Sequence, residues 1–294
     1  MRLSVLPPTS TVKTRMRESM EQLTRSERQL ASVLLQDYPV AGLGSITKFA
    51  QIAGVSTPTV IRMARKLGFA GFTDMQEALR EEISAQIKKP ISKRDAWRAN
   101  ASEAHTLNQF AEAVSSNIRN TLQRIDTKSF DAVAAMLANK KKKIYIAGGR
   151  ITRSIADYLF NHLQIIRPNV AHLSHSANVW PQYLLDIDKS SILIVFDIRR
   201  YESDLLKLAR LANERGCTIV LFTDQWGSPI SKLADHTFNA LVEAPSSWDS
   251  TIAIMIIVEA LIADTQDNRW DESRNRIEEL ESMFSKTKLF RNFN

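Results

Sequence analysis

Three short, uninterrupted apolar runs in the second half of the chain constrain its fold more than any other feature. The runs are Lys143–Ala147, Ser191–Phe196 and Thr218–Phe222. Each run is followed by a loop and then by residues with helical spacing, in segments 153–166, 202–215 and 229–234. Continuous apolar runs are typical of parallel strands buried on both faces, and their alternation with helices predicts a layered α/β domain. Shorter apolar segments near 170–174 and 236–242 extend the predicted sheet.

The first third of the chain has a different texture, because apolar residues recur there at helical spacing and no strand pattern precedes Lys140. The helices predicted in this part are two within 16–37, then 45–54, 57–68 and 73–87. The polar run from Lys88 to Ser102, with Pro90 inside it, is typical of a linker. The sequence therefore predicts a helical domain at 1–90, a linker at 91–105 and an α/β domain at 106–294 with a C-terminal helix. Further helices are predicted at 102–125, 129–138, 250–264 and 271–290.

The net charge of +7 is unevenly distributed along the 294 residues. Residues 1–95 hold 15 lysines and arginines against 9 acidic residues, whereas the remainder holds 24 against 23. A basic excess confined to one domain is expected of a module that binds nucleic acid and is attached to a nearly neutral partner domain. The alternative is a solvated surface with no specific partner.

Composition excludes several classes of protein. The single cysteine, Cys217, rules out an internal disulfide, and five histidines with no metal-ligand spacing make a structural zinc site implausible. No run of about 18 apolar residues predicts a membrane span, and the polar N-terminus lacks the apolar core of a signal peptide. We expect a cytoplasmic protein that uses no metal and no cofactor.

Residues 45–68 have the spacing of a helix-turn-helix. Two helices that cross closely need a small residue in the first, which Ala50 supplies, and a residue that tolerates positive φ at the turn, which Gly54 supplies. Val55 is predicted to fill the corner, while Val60 and Met63 pack the second helix onto the core. Pro58 suits the first turn of that second helix, where its missing N–H would have no partner.

The second helix is predicted to present a polar and cationic face, as a helix that enters the DNA major groove must. Arg62 is the strongest candidate for a base or phosphate contact, and Arg65 and Lys66 are candidates for phosphate contacts. The full set of predicted DNA-binding residues is Ser56, Thr57, Thr59, Arg62, Arg65 and Lys66. The alternative is a corner between two core helices with charges on its solvated side.

Two adjoining stretches give this segment a specific resemblance. Val55-Ser-Thr-Pro-Thr-Val-Ile-Arg62, followed by Lys66-Leu-Gly-Phe-Ala-Gly-Phe72, resembles the RpiR (MurR-type) family of bacterial regulators. The resemblance implies a DNA-binding domain joined to a C-terminal sugar isomerase (SIS) domain with a five-stranded parallel sheet. It also implies a homodimer or homotetramer that binds a double-stranded DNA operator and a small sugar-derived effector.

In open α/β sheets, ligands bind where the strands end and the helix N-termini begin, and such termini favour anions. Three loops qualify: Gly148–Ser154, Ser174–Ser176 and Asp197–Ser203. Thr223 and Asp224 end the fourth strand and are candidates for a ligand contact, although such an aspartate often only caps the next turn. Ser246, Ser247 and Asp249 precede the predicted helix 250–264 and are candidate N-caps, with a ligand contact as the alternative. The predicted effector-binding residues are Gly148, Gly149, Arg150, Thr152, Ser154, Ser174, His175, Asp197, Arg199, Arg200, Tyr201 and Ser246.

The third loop departs from the resembled pattern. SIS domains usually present a Ser-x-Ser-Gly-x-Thr loop that cradles a sugar phosphate, whereas this chain has Asp197, Arg199, Arg200 and Tyr201 there. In one interpretation, Arg199 or Arg200 pairs with a phosphate or carboxylate of the ligand. In the other, the arginines pair with Asp197, Glu202 or a neighbouring subunit, and the usual site is lost. We predict an anionic ligand, a phosphosugar or a sugar acid.

Three functions compete at this point. The first is a transcriptional regulator whose operator affinity changes when the effector binds. The second is a sugar-phosphate isomerase-like enzyme with an accessory helical domain, in which Glu259 would be the candidate general base. The third is a binding protein that regulates a sugar kinase without contacting DNA. The basic first domain and the missing hydroxyl cradle favour the regulator, so we predict no catalytic residue.

Overall fold

Polar capping residues begin several helices in the first part of the chain. In the computed structural model, which describes residues 11–87, 91, 93, 94, 97 and 105–288, the α-helices of this part are α1 (Val12–Ser19), α2 (Arg25–Gln36), α3 (Ile46–Ile52), α4 (Thr57–Lys66) and α5 (Phe72–Ile87). Thr24 caps α2 through a reciprocal pair of hydrogen bonds with Glu27, which satisfies two backbone N–H groups at the start of that helix. The hydroxyl groups of Thr11 and Ser45 accept the corresponding bonds in α1 and α3.

These helices enclose one apolar core. Side chains from all five helices contribute to it, including Met16, Leu30, Phe49, Met63 and Leu79. Hydrogen bonds also join the two ends of this unit, because the Glu82 carboxylate accepts from the Val12 backbone N–H and from the Tyr38 hydroxyl. The chain divides into two compact units, Met1–Lys89 and Pro90–Asn294. Most of the predicted linker 91–105 lies outside the described residues.

The second unit contains a five-stranded parallel sheet, as predicted. The strands are β1 (Lys143–Gly148), β2 (Val170–His172), β3 (Ser191–Phe196), β4 (Thr218–Asp224) and β5 (His236–Ala240). Their order across the sheet is β2-β1-β3-β4-β5, and every neighbouring pair is parallel. Every residue of β3 is buried, as expected of a central strand covered on both faces.

Helices cover both faces of this sheet. They are α6 (Thr106–Leu122), α7 (Thr127–Ala138), α8 (Arg153–Ile166), α9 (Trp180–Asp186), α10 (Ser203–Glu214), α11 (Ile252–Asp267) and α12 (Trp270–Thr287). On one face, Leu205 and Leu208 of α10 pack against Tyr145, Leu193 and Leu221 of the sheet. Since successive strand residues point to opposite faces, the alternate residues of the same strands form the other face.

Two predicted segments differ from the structure. Residues 229–234 were predicted as a helix, but only a short 3₁₀-helix forms there, Pro229–Lys232. Helix α11 begins at Ile252 with Thr251 at its N-cap, so the predicted cap at residues 246–249 is wrong. None of the helices within the described residues combines the length and the apolar character that a membrane crossing requires.

Candidate DNA-binding helix and effector site

The turn between α3 and α4 has the geometry that its sequence predicts. Gly54 adopts a φ of +63°, in the left-handed region that glycine enters without strain. Ala50 is buried where the helices approach one another, and Val55 packs against the same core. Val60 and Met63 are fully buried, so α4 is held to the unit by its inner face. The predicted helix-turn-helix packing is thereby confirmed.

One predicted contact residue on α4 lies inside the unit. Thr59 is 5% exposed, whereas the sequence had placed it on the outer face. Its hydroxyl is within 2.9 Å of the Ser56 hydroxyl and accepts a hydrogen bond of 3.1 Å from the Arg62 guanidinium. The small hydroxyl side chain can be buried because both of its neighbours supply polar partners. Thr59 therefore orients Arg62 and does not face solvent.

The outer face of α4 carries exposed cations. Arg62 and Arg65 are both exposed, and the Arg65 Nε donates to the Ala70 carbonyl oxygen at 3.4 Å. Ser56 is exposed and Thr57 half-buried at the start of the same helix. Guanidinium groups next to small hydroxyl side chains can bind phosphate oxygens and base edges.

Lys66 differs from these arginines because it joins α4 to α2. Its ammonium group lies 2.7 Å from a carboxylate oxygen of Glu27, whose side chain is 2% exposed. Burial tends to raise the pKa of Glu27, but hydrogen bonds from Lys66 and Thr24 outweigh it and leave the pKa below its ordinary value. Lys66 is 39% exposed and also donates to the Gln22 carbonyl oxygen, so its charge is largely committed to holding the helices together.

In the second unit, the pairing of β1 with β3 places two of the predicted loops side by side. Gly148 pairs in register with Phe196, so Gly148–Ser154 and Asp197–Ser203 leave the same edge of the sheet. The Thr152 hydroxyl connects the two loops, because it donates to the Phe196 carbonyl oxygen at 2.7 Å and accepts from the Gly149 N–H at 2.8 Å. Thr152 is buried in this position.

The first loop receives a carboxylate from the second. Glu202 Oε1 accepts a hydrogen bond of 2.7 Å from the Arg150 backbone N–H, just before the first turn of α8. A Cβ atom on Gly149 would lie 2.5 Å from the same oxygen. Glycine is therefore required at this position to let the carboxylate approach the backbone. A Cβ atom on Gly148 would instead meet the backbone of Thr152 and Arg153 at 2.8 Å.

Two further carboxylates bind backbone N–H groups at this edge. Asp197 accepts from the Glu202 N–H at 3.1 Å and from the Ser228 hydroxyl. Asp224 accepts from the Arg199 N–H at 2.7 Å, from the N–H groups of the turn that follows β4, and from the Tyr201 hydroxyl at 2.8 Å. Burial raises the pKa of Asp197 to about 6 and also raises the pKa of Asp224.

The Arg199 side chain is buried among partners from its own unit. Its Nε lies 2.8 Å from Asp249 and its Nη2 lies 3.3 Å from Glu243, and the guanidinium stacks 4.1 Å from the centre of the Trp226 ring. Asp249 also pairs with Lys93 at 2.7 Å, and the Lys93 side chain is 6% exposed. This arrangement matches the kind of internal pairing that the sequence left open for Arg199, although Asp249 and Glu243 replace the expected partners Asp197 and Glu202.

The other predicted effector residues lie in more varied surroundings. Arg200 is exposed and adopts a φ of +67°, in the left-handed region. The Ser174 carbonyl oxygen accepts from the Trp180 indole at 2.8 Å, and His175 is exposed. Ser154 and Ser246 make local hydrogen bonds, to the Ile151 carbonyl oxygen and from the Trp248 N–H respectively.

Comparison with known proteins agrees with both units. Residues 10–86 match the description "Helix-turn-helix domain, rpiR family", and residues 136–263 match "SIS domain". The chain is a transcriptional regulator with a helix-turn-helix domain of the rpiR family and a SIS domain. The HTH-type transcriptional regulator HexR of Escherichia coli is 23% identical over 285 residues, which are 94% of each chain. HexR of Pseudomonas aeruginosa is 26% identical over 218 residues, 72% of this chain and 73% of HexR.

Solved structures show the same fold. The Vibrio vulnificus NanR protein, solved in complex with ManNAc-6P, is 18% identical with a TM-score of 0.56, covering 96% of this regulator and 100% of NanR. The sugar isomerase domain of an RpiR transcription factor from Sphaerobacter thermophilus is 19% identical with a TM-score of 0.55, covering 60% of this regulator and 97% of that domain.

Three side chains of the regulator, those of Glu202, Asp249 and Lys93, have roles that the sequence does not predict. The sequence predicts Glu202 only as a partner for the arginines, Asp249 as a helix cap or a ligand contact, and no role for Lys93. Asp224 had two predicted roles, and the structure favours the one in which it caps the turn after β4. A signal was present only for Asp224, since an aspartate at a strand end commonly binds the N–H groups of the next turn.

Glu259 does not have the environment of a catalytic base. Its side chain is exposed, and it accepts a hydrogen bond of 3.0 Å from the Tyr158 hydroxyl on the neighbouring helix α8. A general base needs a pKa shifted toward the operating pH, which usually requires burial. In the structure, Glu259 is instead a polar partner of the Tyr158 hydroxyl.

Proposed function

We propose that this regulator binds a double-stranded DNA operator through α4 and that a small carbohydrate-derived metabolite in the second unit modulates its affinity. The observation that carries the DNA-binding part is the outer face of α4, where Arg62 and Arg65 are exposed while the inner face is buried in the core. In this proposal residues 1–90 form the DNA-binding domain, 91–105 the linker and 106–294 the effector domain.

The effector is placed at the edge of the sheet where the loops after β1 and β3 meet. Ligands of parallel α/β sheets bind at this edge, and the exposed side chains of Arg150 and Arg200 supply positive charge there. The structure of NanR with a phosphosugar supports a carbohydrate-derived, anionic ligand. The chain then acts as a sensor and not as an isomerase, in keeping with the exposure of Glu259.

A regulator of this type has to present two recognition helices to a two-fold symmetric operator. We therefore propose a homodimer or homotetramer, in which the effector alters the spacing of the paired α4 helices. Such coupling is reciprocal, so operator DNA must change the affinity for the effector by the same factor.

The DNA-binding part is tested with a duplex that the full-length protein selects from a random-sequence pool. We expect submicromolar binding that weakens steeply as salt rises, because bound phosphates release counterions. Arg62→Ala should weaken binding by about tenfold or more, since a lost base or phosphate contact of an arginine costs about 1–3 kcal/mol. Arg274→Ala, which removes an exposed arginine of α12, is the matched control and should bind like the wild type.

Unchanged DNA binding by the Arg62→Ala protein would show that α4 is not the recognition helix. Turnover of a phosphosugar by the purified protein, lost in Glu259→Gln, would replace the regulator by the isomerase alternative.

A further inference from the structure

The start of α8 is the position in the second unit where an anion would be expected to bind, yet a side chain of the same chain lies there. The Arg150 N–H donates to Glu202 Oε1 at 2.7 Å. The missing Cβ of Gly149 is the space through which that carboxylate approaches the backbone, since a Cβ there would lie 2.5 Å from Oε1. The close approach that two consecutive glycines offer to a ligand is therefore already used within the protein.

The neighbouring backbone N–H groups are bound in the same way. Asp224 accepts from the Arg199 N–H at 2.7 Å, and Asp197 accepts from the Glu202 N–H at 3.1 Å. Both aspartates are buried, at 0% and 3% exposure, so they cannot turn aside into solvent. A phosphate group at this edge would lose the N–H donors that it needs and would meet three carboxylates.

Glu202 is the only one of these three carboxylates on an exposed residue, so a ligand can displace it more readily than it can displace Asp197 or Asp224. The cost of doing so depends on the charge of the ligand. A phosphate ester carries about −2 at neutral pH, whereas a sugar acid carries −1 and needs fewer donors. Exposed guanidinium groups on Arg150 and Arg200 can meet a single carboxylate without removing Glu202 from the Arg150 N–H.

We propose that Glu202 determines the specificity of this site: its carboxylate takes the place of a ligand phosphate, so the site selects non-phosphorylated sugar acids and excludes phosphosugars. The proposal rests on the proposed function, because it distinguishes between the two ligand classes named there. It assigns Glu202 a role in selecting the ligand and none in binding DNA.

The test is calorimetric titration of the full-length protein with inorganic phosphate, glucose 6-phosphate, gluconate and glucuronate. Glu202→Gln keeps an oxygen for the Arg150 N–H but removes the charge, and Glu202→Thr also removes the bulk. Glu214→Gln, at the far end of the same helix α10, is the matched control. We expect both Glu202 variants to bind the two phosphates at least about tenfold more tightly than the wild type, with a smaller gain for the carboxylates and no change in the control.

Three results would overturn the proposal: wild-type protein that binds glucose 6-phosphate more tightly than either sugar acid, Glu202 variants with unchanged phosphate affinity, or an equal gain in the control. Urea denaturation, monitored by tryptophan fluorescence, verifies that each variant is folded. Operator binding is measured separately on the same samples. If the wild type did not bind the operator, the proposed function would be contradicted. The measured effect of the Glu202 variants on ligand affinity would still stand.

Discussion

Replacing Asp249 by asparagine is expected to destabilise the second unit strongly, because this carboxylate neutralises two buried cations. Its two oxygens lie 2.7 Å from the Lys93 ammonium and 2.8 Å from the Arg199 guanidinium. The Lys93 and Arg199 side chains are 6% and 7% exposed, and that of Asp249 is 17% exposed. Asparagine keeps the shape of the side chain and removes its charge. The Lys93 and Arg199 cations then remain in a poorly solvated place without the negative charge that neutralises them.

The magnitude follows from the burial of the three groups. Removal of one partner from a buried ion pair costs about 3–5 kcal/mol. Arg199 keeps Glu243 at 3.3 Å and the Trp226 ring, which reduces the loss on its side. We therefore expect the free energy of unfolding to fall by about 2–4 kcal/mol. With a denaturant slope of about 2 kcal/mol per M, the urea midpoint moves down by about 1–2 M.

Tryptophan fluorescence during urea denaturation is a suitable assay because it reports only on this unit. All five tryptophans lie in the second unit, at positions 97, 180, 226, 248 and 270. Glu278→Gln is the control, since it removes a carboxylate from the exposed pair with Arg274, in which the side chains are 61% and 63% exposed. Exposed pairs contribute about 0–1 kcal/mol, so the control should denature almost as the wild type does.

A double-mutant cycle with Lys93→Met separates the two contacts of Asp249. If the Lys93 pair contributes, the double variant should lose less stability than the sum of the two single variants, by about 1 kcal/mol or more. An Asp249→Asn protein that denatures within about 0.5 kcal/mol of the wild type would refute the argument from burial.

Two further predictions concern the edge of the sheet. Gly149→Ala should displace Glu202 and lower stability by only about 0.5–1.5 kcal/mol, because a flexible side chain gives way, whereas Gly148→Ala meets backbone atoms and should cost more. Urea midpoints decide this, and equal losses at the two glycines would contradict it. Asp197 has a folded-state pKa of about 6 against an ordinary value of 3.8, so the folded state binds its proton more tightly and stability is lost as pH rises from about 4 to 6. The loss amounts to about 3 kcal/mol. Asp197→Asn should remove this component, and parallel pH profiles of the two proteins would argue against it.

The recognition helix and the sheet could be predicted from sequence because their signals are local. Gly54 at the turn, Ala50 in the crossing and the buried pair Val60 and Met63 all lie within one short segment. The strands were visible for the same reason, since a run such as Ser191–Phe196 is apolar without a break. Periodicity and capping are properties of neighbouring residues, and helices and strands depend on them directly.

The outward orientation of single residues was predicted less well. Thr59 has a polar side chain at a position that faces Ser56 and Arg62, and its burial depends on those two partners. The charge of Lys66 was visible in the sequence, but its pairing with Glu27, 39 residues away, was not. Polar side chains are exposed on average, but a polar side chain that finds a hydrogen-bonding or charged partner inside the protein can be buried.

By itself, the sequence determined the helix-turn-helix, the five parallel strands and the edge of the sheet at which the two loops meet. Only the tertiary structure decided how the charges at that edge are used. Lys93 and Asp249 are 156 residues apart, and Glu202 lies 52 residues from the N–H group that it binds. No local pattern relates residues at such separations, because the pairing depends on how buried charges and N–H groups find partners once the strands are assembled. The sequence of the loop after β3 suggests a positively charged site for an anion. In the folded protein, the backbone N–H groups at this edge already donate to the carboxylates of Asp197, Glu202 and Asp224.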